Sequence, residues 1–210
     1  MVKLSFPVSP LSDLKTLYAK FNLPISSVDC GEKCRLNNPN GVPFCCDIHY
    51  AIPAVYPQEK AYFKTNTELW FDYQGAAIPD ELDLPENLLF MQCLGASRCQ
   101  REFRSLSCRQ FPFYPYVTSD YRFLGLGLEW EFKDKCWIFE NVRLVSPDYR
   151  YQFIQVYDEI FAFHQEIFDN YAEHSAIARK IHAGIGENLL LLHRNGRNYR
   201  LKTGNNLRMP

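Results

Sequence analysis

The sequence predicts an α+β fold with an irregular cysteine-rich core, short strands and a long C-terminal amphipathic helix. Eight cysteines cluster in loop-like stretches between residues 30 and 136. Apolar residues alternate with glycine or acidic residues from Leu124 to Phe132, which is the period of a strand. From Phe153 to Tyr171 apolar residues recur at helical spacing, so one face of that segment is buried.

Composition and charge limit the domain count and the class of partner. The 210 residues are 47% hydrophobic and 15% aromatic, which is enough material for one well-filled core. We expect a single domain over residues 1–192 and a basic, flexible tail over residues 193–210, where arginine and lysine occur without any acid. The net charge of −1 predicts no nucleic-acid partner, because such proteins carry a basic surface.

The N-terminal segment predicts a cytoplasmic protein. Pro7, Pro10 and Asp13 interrupt the apolar residues that a signal peptide would need, and no segment is long enough to span a membrane. We therefore expect no membrane partner. Thiols stay reduced in the cytoplasm, so clustered cysteines there are more often metal ligands or catalytic groups than disulfides.

The N-terminal half predicts short elements joined by turns. A helical pattern occupies Leu11–Tyr18, and residues 35–44 contain the turn-forming run Asn-Asn-Pro-Asn-Gly. Moderate alternation predicts short strands within residues 48–56 and 68–73. Residues 75–87, with two prolines, are expected to form a connecting loop.

The C-terminal half predicts a strand pair followed by helix. After the alternating strand 124–132, residues 136–145 are predicted to return as its partner. Ser146-Pro147-Asp148 is a strong helix start, with a capping serine, proline in the first turn and an early acid. The helical region is predicted over residues 146–183.

The cysteines fall into groups whose spacing suits metal ligation. Thiolate sulfur is the ligating group, and irregular backbone lets distant thiolates converge on one point. Four thiolates complete either a tetrahedral zinc site or a cubane iron–sulfur cluster (4Fe–4S), and eight cysteines supply two such sets. The predicted metal ligands are Cys30, Cys34, Cys45, Cys46, Cys93, Cys99, Cys108 and Cys136.

Arginines accompany the second group of cysteines. Arg98, Arg101, Arg104 and Arg109 occur there against the single acid Glu102. A four-thiolate metal site carries net negative charge, so we expect these guanidinium groups to offset it and to lower the thiol pKa values. The alternative is that they are ordinary surface charges.

The residues leave the identity of the metal open. The sequence contains no C-x-x-C pair, which zinc knuckles favour, and widely dispersed ligands suit a bulky iron–sulfur cluster slightly better than a single ion. The adjacent Cys45 and Cys46 are expected to point in different directions, and so to serve two metals or to leave one free thiol. His49 is an alternative ligand, and Cys136 is alternatively a plain buried thiol.

The cysteine pattern also resembles the YkgJ-type cysteine-cluster family, whose domain is described as zinc- or iron-chelating. Cys45-Cys46 matches the family's cysteine doublet, and the run from Cys108 to Pro112, Cys-Arg-Gln-Phe-Pro, is the most specific match. The other matching cysteines are Cys30, Cys34, Cys93, Cys99 and Cys136. The resemblance covers residues 30–136 and implies a metal site on these cysteines. Flagellin lysine N-methylases are distantly similar to the same family.

These observations predict a metal-binding protein that holds an iron–sulfur cluster or zinc, with a redox role if the metal is iron–sulfur. One alternative is a metal-assisted, protein-modifying enzyme of the lysine methylase kind. The other is an interaction protein in which zinc is structural. The partner or substrate is an unidentified protein, and whether the chain is an enzyme stays open, since no G-x-S-x-G, H-E-x-x-H or phosphate loop is present.

Overall fold

The chain combines helices with two antiparallel sheets, which confirms the predicted α+β class. The structure is a computed structural model that describes residues 9–75 and 85–202. Most of the predicted connecting loop 75–87 lies outside these residues. Within the described ranges, no helix combines the length and the apolar character that crossing a membrane requires.

Six α-helices and seven strands make up the regular structure of the described residues. The helices are α1 (Leu14–Lys20), α2 (Cys30–Cys34), α3 (Pro57–Asn66), α4 (Leu106–Gln110), α5 (Pro147–Phe163) and α6 (Gln165–Gly184). The strands are β1 (Ala54–Val55), β2 (Trp70–Asp72), β3 (Leu89–Cys93), β4 (Phe113–Val117), β5 (Phe123–Leu128), β6 (Leu189–His193) and β7 (Asn198–Leu201). Helix α1 and strands β1 and β2 confirm the elements predicted in the N-terminal half.

The two sheets lie at different places along the chain. A three-stranded sheet has the order β1-β3-β2, so β3 is its central strand and delivers Cys93 at its end. A four-stranded sheet has the order β4-β5-β6-β7, with every neighbouring pair antiparallel. Helix α6 packs on one face of the larger sheet, and α5 contacts β5. The sheet is therefore covered by the C-terminal helices.

Strand β5 differs from the half-exposed strand that its alternation predicts. It ends at Leu128, and all six of its residues are buried. The glycines make room for neighbours on the second face: a Cβ atom at Gly127 would lie 2.4 Å from Cζ of Tyr114. At Gly125, where φ is +143°, it would lie 2.2 Å from the carbonyl oxygen of Leu192. The glycine-bearing face of β5, which the sequence pattern leaves open, is thus closely packed inside the protein.

The predicted partner strand over residues 136–145 is wrong. The segment forms two 3₁₀ turns, Trp137–Phe139 and Val142–Leu144. Its backbone bonds are local, since the amide of Phe139 donates to the carbonyl of Cys136. Both edges of β5 are already paired, with β4 and β6, so no edge is left for this segment.

The helical region predicted over residues 146–183 is confirmed as two helices. Helix α5 begins as expected, with the Ser146 hydroxyl accepting a hydrogen bond from the amide of Tyr149 at 3.4 Å. The helices separate at His164, whose φ of −128° and ψ of 83° are not helical. The ring of His164 contacts the Ser9 hydroxyl at 2.7 Å and a Glu166 carboxylate oxygen at 2.9 Å. This histidine is a structural junction.

The prediction of a flexible tail from residue 193 is wrong for residues 193–201. Strands β6 and β7 form a hairpin there, and β6 pairs with β5 through Leu126 and Leu192. Arg194 contributes to the fold through an ion pair with Asp158 at 2.7 Å. The apolar run 189–192 supplies buried residues of β6. The basic residues that follow are held in place because their segment forms β7, which pairs with β6. Residues 203–210 lie outside the described residues.

Candidate metal centre

The first two cysteines are placed by a short capped helix. The Asp29 carboxylate accepts hydrogen bonds from the amides of Gly31 at 2.9 Å and Glu32 at 3.2 Å, and so starts helix α2. Cys30 and Cys34 stand at the two ends of α2. Residues four apart lie on the same side of a helix, so both thiols face the same region.

The cysteine doublet follows a loop that its own side chains close. The Asn38 amide donates to the carbonyl of Val42 at 2.8 Å and to the Asp47 carboxylate at 3.0 Å. This bridge confirms the predicted turn and holds the 3₁₀ turn Phe44–Cys46. Contrary to the sequence expectation, the sulfur atoms of Cys45 and Cys46 do not point apart, and they lie 4.0 Å from one another.

The second group of cysteines lies on the end of β3, a tight turn and helix α4. The Cys93 sulfur accepts a hydrogen bond from the amide of Gly95 at 3.4 Å. The Cys99 sulfur accepts one from Nε of Arg104 at 3.1 Å. Cys108 is in α4, which the Ser105 hydroxyl caps by accepting from the amide of Cys108 at 3.2 Å.

Buried Arg109 ties the cysteine-bearing loop to the core. Its guanidinium donates to the carbonyl oxygens of Arg104 at 2.8 Å, Arg101 at 2.9 Å and Glu102 at 2.9 Å. It also donates to the carbonyl oxygen of Phe21 at 2.7 Å. Arg109 therefore satisfies backbone carbonyls, contrary to the expectation that it offsets thiolate charge. The motif around Cys108 marks this arginine, and only the fold reveals its function.

Buried Glu59 was not singled out by the sequence. One oxygen of its carboxylate accepts from the Tyr18 hydroxyl at 2.6 Å and from the amide of Leu106 at 2.7 Å. The other accepts from the amide of Tyr56 at 3.0 Å. Because Leu106 is the first residue of α4, Glu59 anchors the helix that carries Cys108. Nothing in the local sequence separates Glu59 from the exposed acids around it.

One cavity collects all of the predicted ligands. Its volume is about 860 Å³, and Trp70, Leu94 and Arg104 contribute to its wall together with the cysteines. The cysteines that line it are Cys30, Cys34, Cys45, Cys46, Cys93, Cys99, Cys108 and Cys136. Cys136 reaches this wall because the 3₁₀ turn that it starts packs against α2. Residues far apart in sequence thus converge on one space.

All eight cysteines are free thiols. Most of them have a pKa above that of an isolated cysteine. Burial raises the pKa of Cys30 to about 11 and those of Cys108 and Cys136 to about 12. Burial also raises the pKa of Cys93. The sequence predicted that the arginines lower the thiol pKa values. They do not do so generally, because removal from water favours the neutral thiol more strongly than the guanidinium charges favour the thiolate.

Cys46 is the exception. Its hydrogen bond with Cys45 and the nearby guanidinium of Arg104 lower the pKa of Cys46 to about 7. The same hydrogen bond, with burial, raises the pKa of Cys45. Cys46 is thus the member of the doublet that loses its proton first. The thiolate is the form that binds metal.

The donors suit a thiophilic metal or cluster in their chemistry, since thiols line one cavity. In a tetrahedral zinc site with bonds of about 2.3 Å, neighbouring sulfur atoms lie about 3.8 Å apart. Cys45 and Cys46 approach that separation at 4.0 Å. However, across residues 9–75 and 85–202, no three His, Cys, Asp or Glu side chains stand close enough to hold a metal ion. Closing a four-thiolate site therefore requires the cavity wall to contract.

The histidines contribute little to this cavity. His49 lines it, but its amide bonds to Asp47 and the residue is exposed. His174 lies by the larger sheet, where its ring contacts the Glu129 carboxylate at 3.1 Å. The cysteines are therefore the main candidate ligands.

The chain matches no protein-family model, no curated protein and no solved structure. The resemblance to the YkgJ-type family thus rests on the cysteine motifs alone.

Proposed function

We propose that this protein binds a thiophilic metal, as zinc or a 4Fe–4S cluster, on thiolates of the cysteine cavity. The observation that carries the proposal is the convergence of all eight cysteines, as free thiols, on one cavity. Cysteines used only as small apolar residues would be distributed through the core without such convergence. Membership of the YkgJ-type family and a reducing, cytoplasmic location are part of the same proposal.

Burial explains why a metal would suit these groups. A buried thiolate without a counter-ion is unfavourable, which is why the pKa values of Cys30, Cys108 and Cys136 are high. A bound cation removes that penalty, since it replaces the proton with a stronger positive partner. Metal binding would then contribute directly to the free energy of folding.

A metal-assisted, protein-modifying enzyme is the second candidate. The cavity of about 860 Å³ falls in the range of ligand pockets, which run from about 300 to 1,000 Å³. It is larger than a closed four-thiolate zinc site requires. The third candidate is an interaction protein in which zinc is structural. In that case protein and metal would fill the cavity, and the zinc would have no open coordination position.

The test is metal content after anaerobic purification, measured by elemental analysis. We expect zinc or iron in wild-type protein, and less in Cys45→Ser and Cys108→Ser. Ser97→Ala is the matched control, because Ser97 lines the same cavity without a thiol. Visible absorption separates an iron–sulfur cluster from zinc. Equal metal content in all four proteins would contradict the proposal.

A further inference from the structure

We propose that a second, smaller cavity beside the cysteine cavity binds the phosphate group of a small molecule. This arginine cavity is lined by Arg101, Arg104 and Arg109 and has a volume of about 300 Å³. That volume lies at the lower end of the range of ligand pockets, so it suits a small ligand. The inference goes beyond metal binding and does not depend on it.

A 3₁₀ turn over Arg101–Phe103 places two of the arginines. The amide of Arg104 donates to the carbonyl oxygen of Arg101 at 3.2 Å and closes the turn. Because a 3₁₀ helix has three residues per turn, side chains three residues apart lie on the same side. Both side chains are partly buried and line the arginine cavity. The turn thus delivers two guanidinium groups to one small space.

Each of these two guanidinium groups is held by one hydrogen bond from Nε. Nε of Arg101 donates to the carbonyl oxygen of Asn22 at 2.8 Å, and Nε of Arg104 donates to the Cys99 sulfur at 3.1 Å. In the part of the chain that the structure describes, no Nη atom of either arginine makes a hydrogen bond or an ion pair. The Nη donors can therefore bind a ligand, and the planar fork of N–H groups in arginine matches the oxygens of a phosphate.

Arg109 contributes charge to the arginine cavity, because its donors are already used. Its guanidinium donates to backbone carbonyl oxygens, among them those of Phe21 and Arg101. Burial lowers the pKa of Arg109 to about 10, so the side chain is still positively charged at neutral pH. Arg109 thus fixes the backbone around the cavity and adds to its positive potential.

The wall of the arginine cavity carries a net positive charge. Among the described residues, its charged side chains are the three guanidinium groups and the carboxylate of Asp29, which leaves two positive charges. The thiols of Cys30 and Cys108 in this wall are neutral at pH 7, because burial raises their pKa values to about 11 and 12. A phosphate monoester carries about 1.5 to 2 negative charges at pH 7, which balances the wall.

The remainder of the wall favours a phosphate that carries a small organic group. Its apolar members are Phe21, Leu23, Pro24, Ile25 and Val28. These side chains offer contacts to an apolar substituent but none of the charge that free phosphate would use. Arg104 and Cys108 line both cavities, so the bound phosphate would lie directly beside the cysteines.

The test is isothermal titration calorimetry of the purified protein under anaerobic conditions, with phenyl phosphate, inorganic phosphate and benzoate as ligands. We expect phenyl phosphate to bind at one site, and more tightly than the other two. Arg101→Gln and Arg104→Gln should each weaken its binding by about 10- to 100-fold. Arg98→Gln is the matched control, because it makes the same charge change in the cysteine cavity alone. We expect less than about a threefold effect for this control.

Three results would overturn the proposal. They are no binding of either phosphate by folded wild-type protein, equal losses in all three variants, and benzoate affinity equal to that of phenyl phosphate. Equal affinity for the two phosphates would support the site and identify free phosphate as its ligand. Metal content is measured separately, so failure of phosphate binding in metal-loaded protein leaves the proposed function standing.

A second measurement uses wild-type protein and is therefore independent of whether the variants fold. Phenylglyoxal modifies accessible guanidinium groups, and mass spectrometry of peptides locates the modified arginines. Phenyl phosphate should protect Arg101 and Arg104 from modification and leave the rate at Arg98 unchanged. Equal modification of Arg101 with and without phenyl phosphate would refute the site.

Discussion

Replacing Arg104 with glutamine should weaken metal binding selectively. The guanidinium donates from Nε to the Cys99 sulfur at 3.1 Å, and its charge also reaches Cys46 and Cys108. A hydrogen bond to a charged group contributes about 1.5–3 kcal/mol. Since Cys99 is exposed, solvent screening reduces this to about 1–2 kcal/mol. Metal affinity should therefore fall about 5- to 30-fold.

The assay is a competition titration of Zn²⁺ between the protein and a chromophoric chelator, under anaerobic conditions. Arg98→Gln is the matched control, because Arg98 lines the same cavity and the change in net charge is identical. No hydrogen bond from Arg98 to a thiol is present among residues 9–75 and 85–202. We expect less than about a threefold effect for this control. Equal losses in the two variants would refute the argument that Arg104 acts locally on the thiolates.

Further predictions concern the supports of the cavity and its titration. Arg109→Ala should lower the free energy of unfolding by more than about 3 kcal/mol, because several buried carbonyls lose their hydrogen-bond donor. The control is Arg122→Ala at an exposed position, which should change the free energy of unfolding by less than about 0.5 kcal/mol. Urea denaturation measures both values. Glu59→Gln should cost about 1–3 kcal/mol in the same assay, because the new NH₂ group would face a backbone amide donor; an unchanged midpoint would contradict this reading. Metal-free protein should lose stability as the pH rises above about 9. Thiols of the unfolded chain ionise there, whereas in the folded protein Cys30, Cys108 and Cys136 keep their protons to about pH 11–12. Thermal melts that show constant stability up to pH 11 would contradict these raised pKa values. Metal uptake at pH 7 should release protons and strengthen as the pH rises, which weakly buffered titration calorimetry tests.

The sequence alone determined the elements whose signals are local. Ser146-Pro147 fixed the start of α5, because capping and proline geometry depend only on neighbouring residues. The asparagine-rich turn before the doublet was predictable for the same reason. The α+β class followed from the periodicities of β5 and α5. The identity of the candidate ligands followed from the clustering of the cysteines and from the chemistry of thiolates as metal ligands.

Only the tertiary structure decided how these pieces meet. Alternation in β5 indicated an exposed face, but the Tyr114 ring and the backbone of Leu192 occupy it, since glycines leave room for packing that a one-dimensional pattern cannot register. The basic segment after residue 193 joined the sheet because β6 pairs with β5 and β7 then pairs with β6. Glu59 and Arg109 became anchors through contacts with residues distant in sequence. Convergence of the cysteines on one cavity depends on the same long-range packing, which spacing along the chain does not encode.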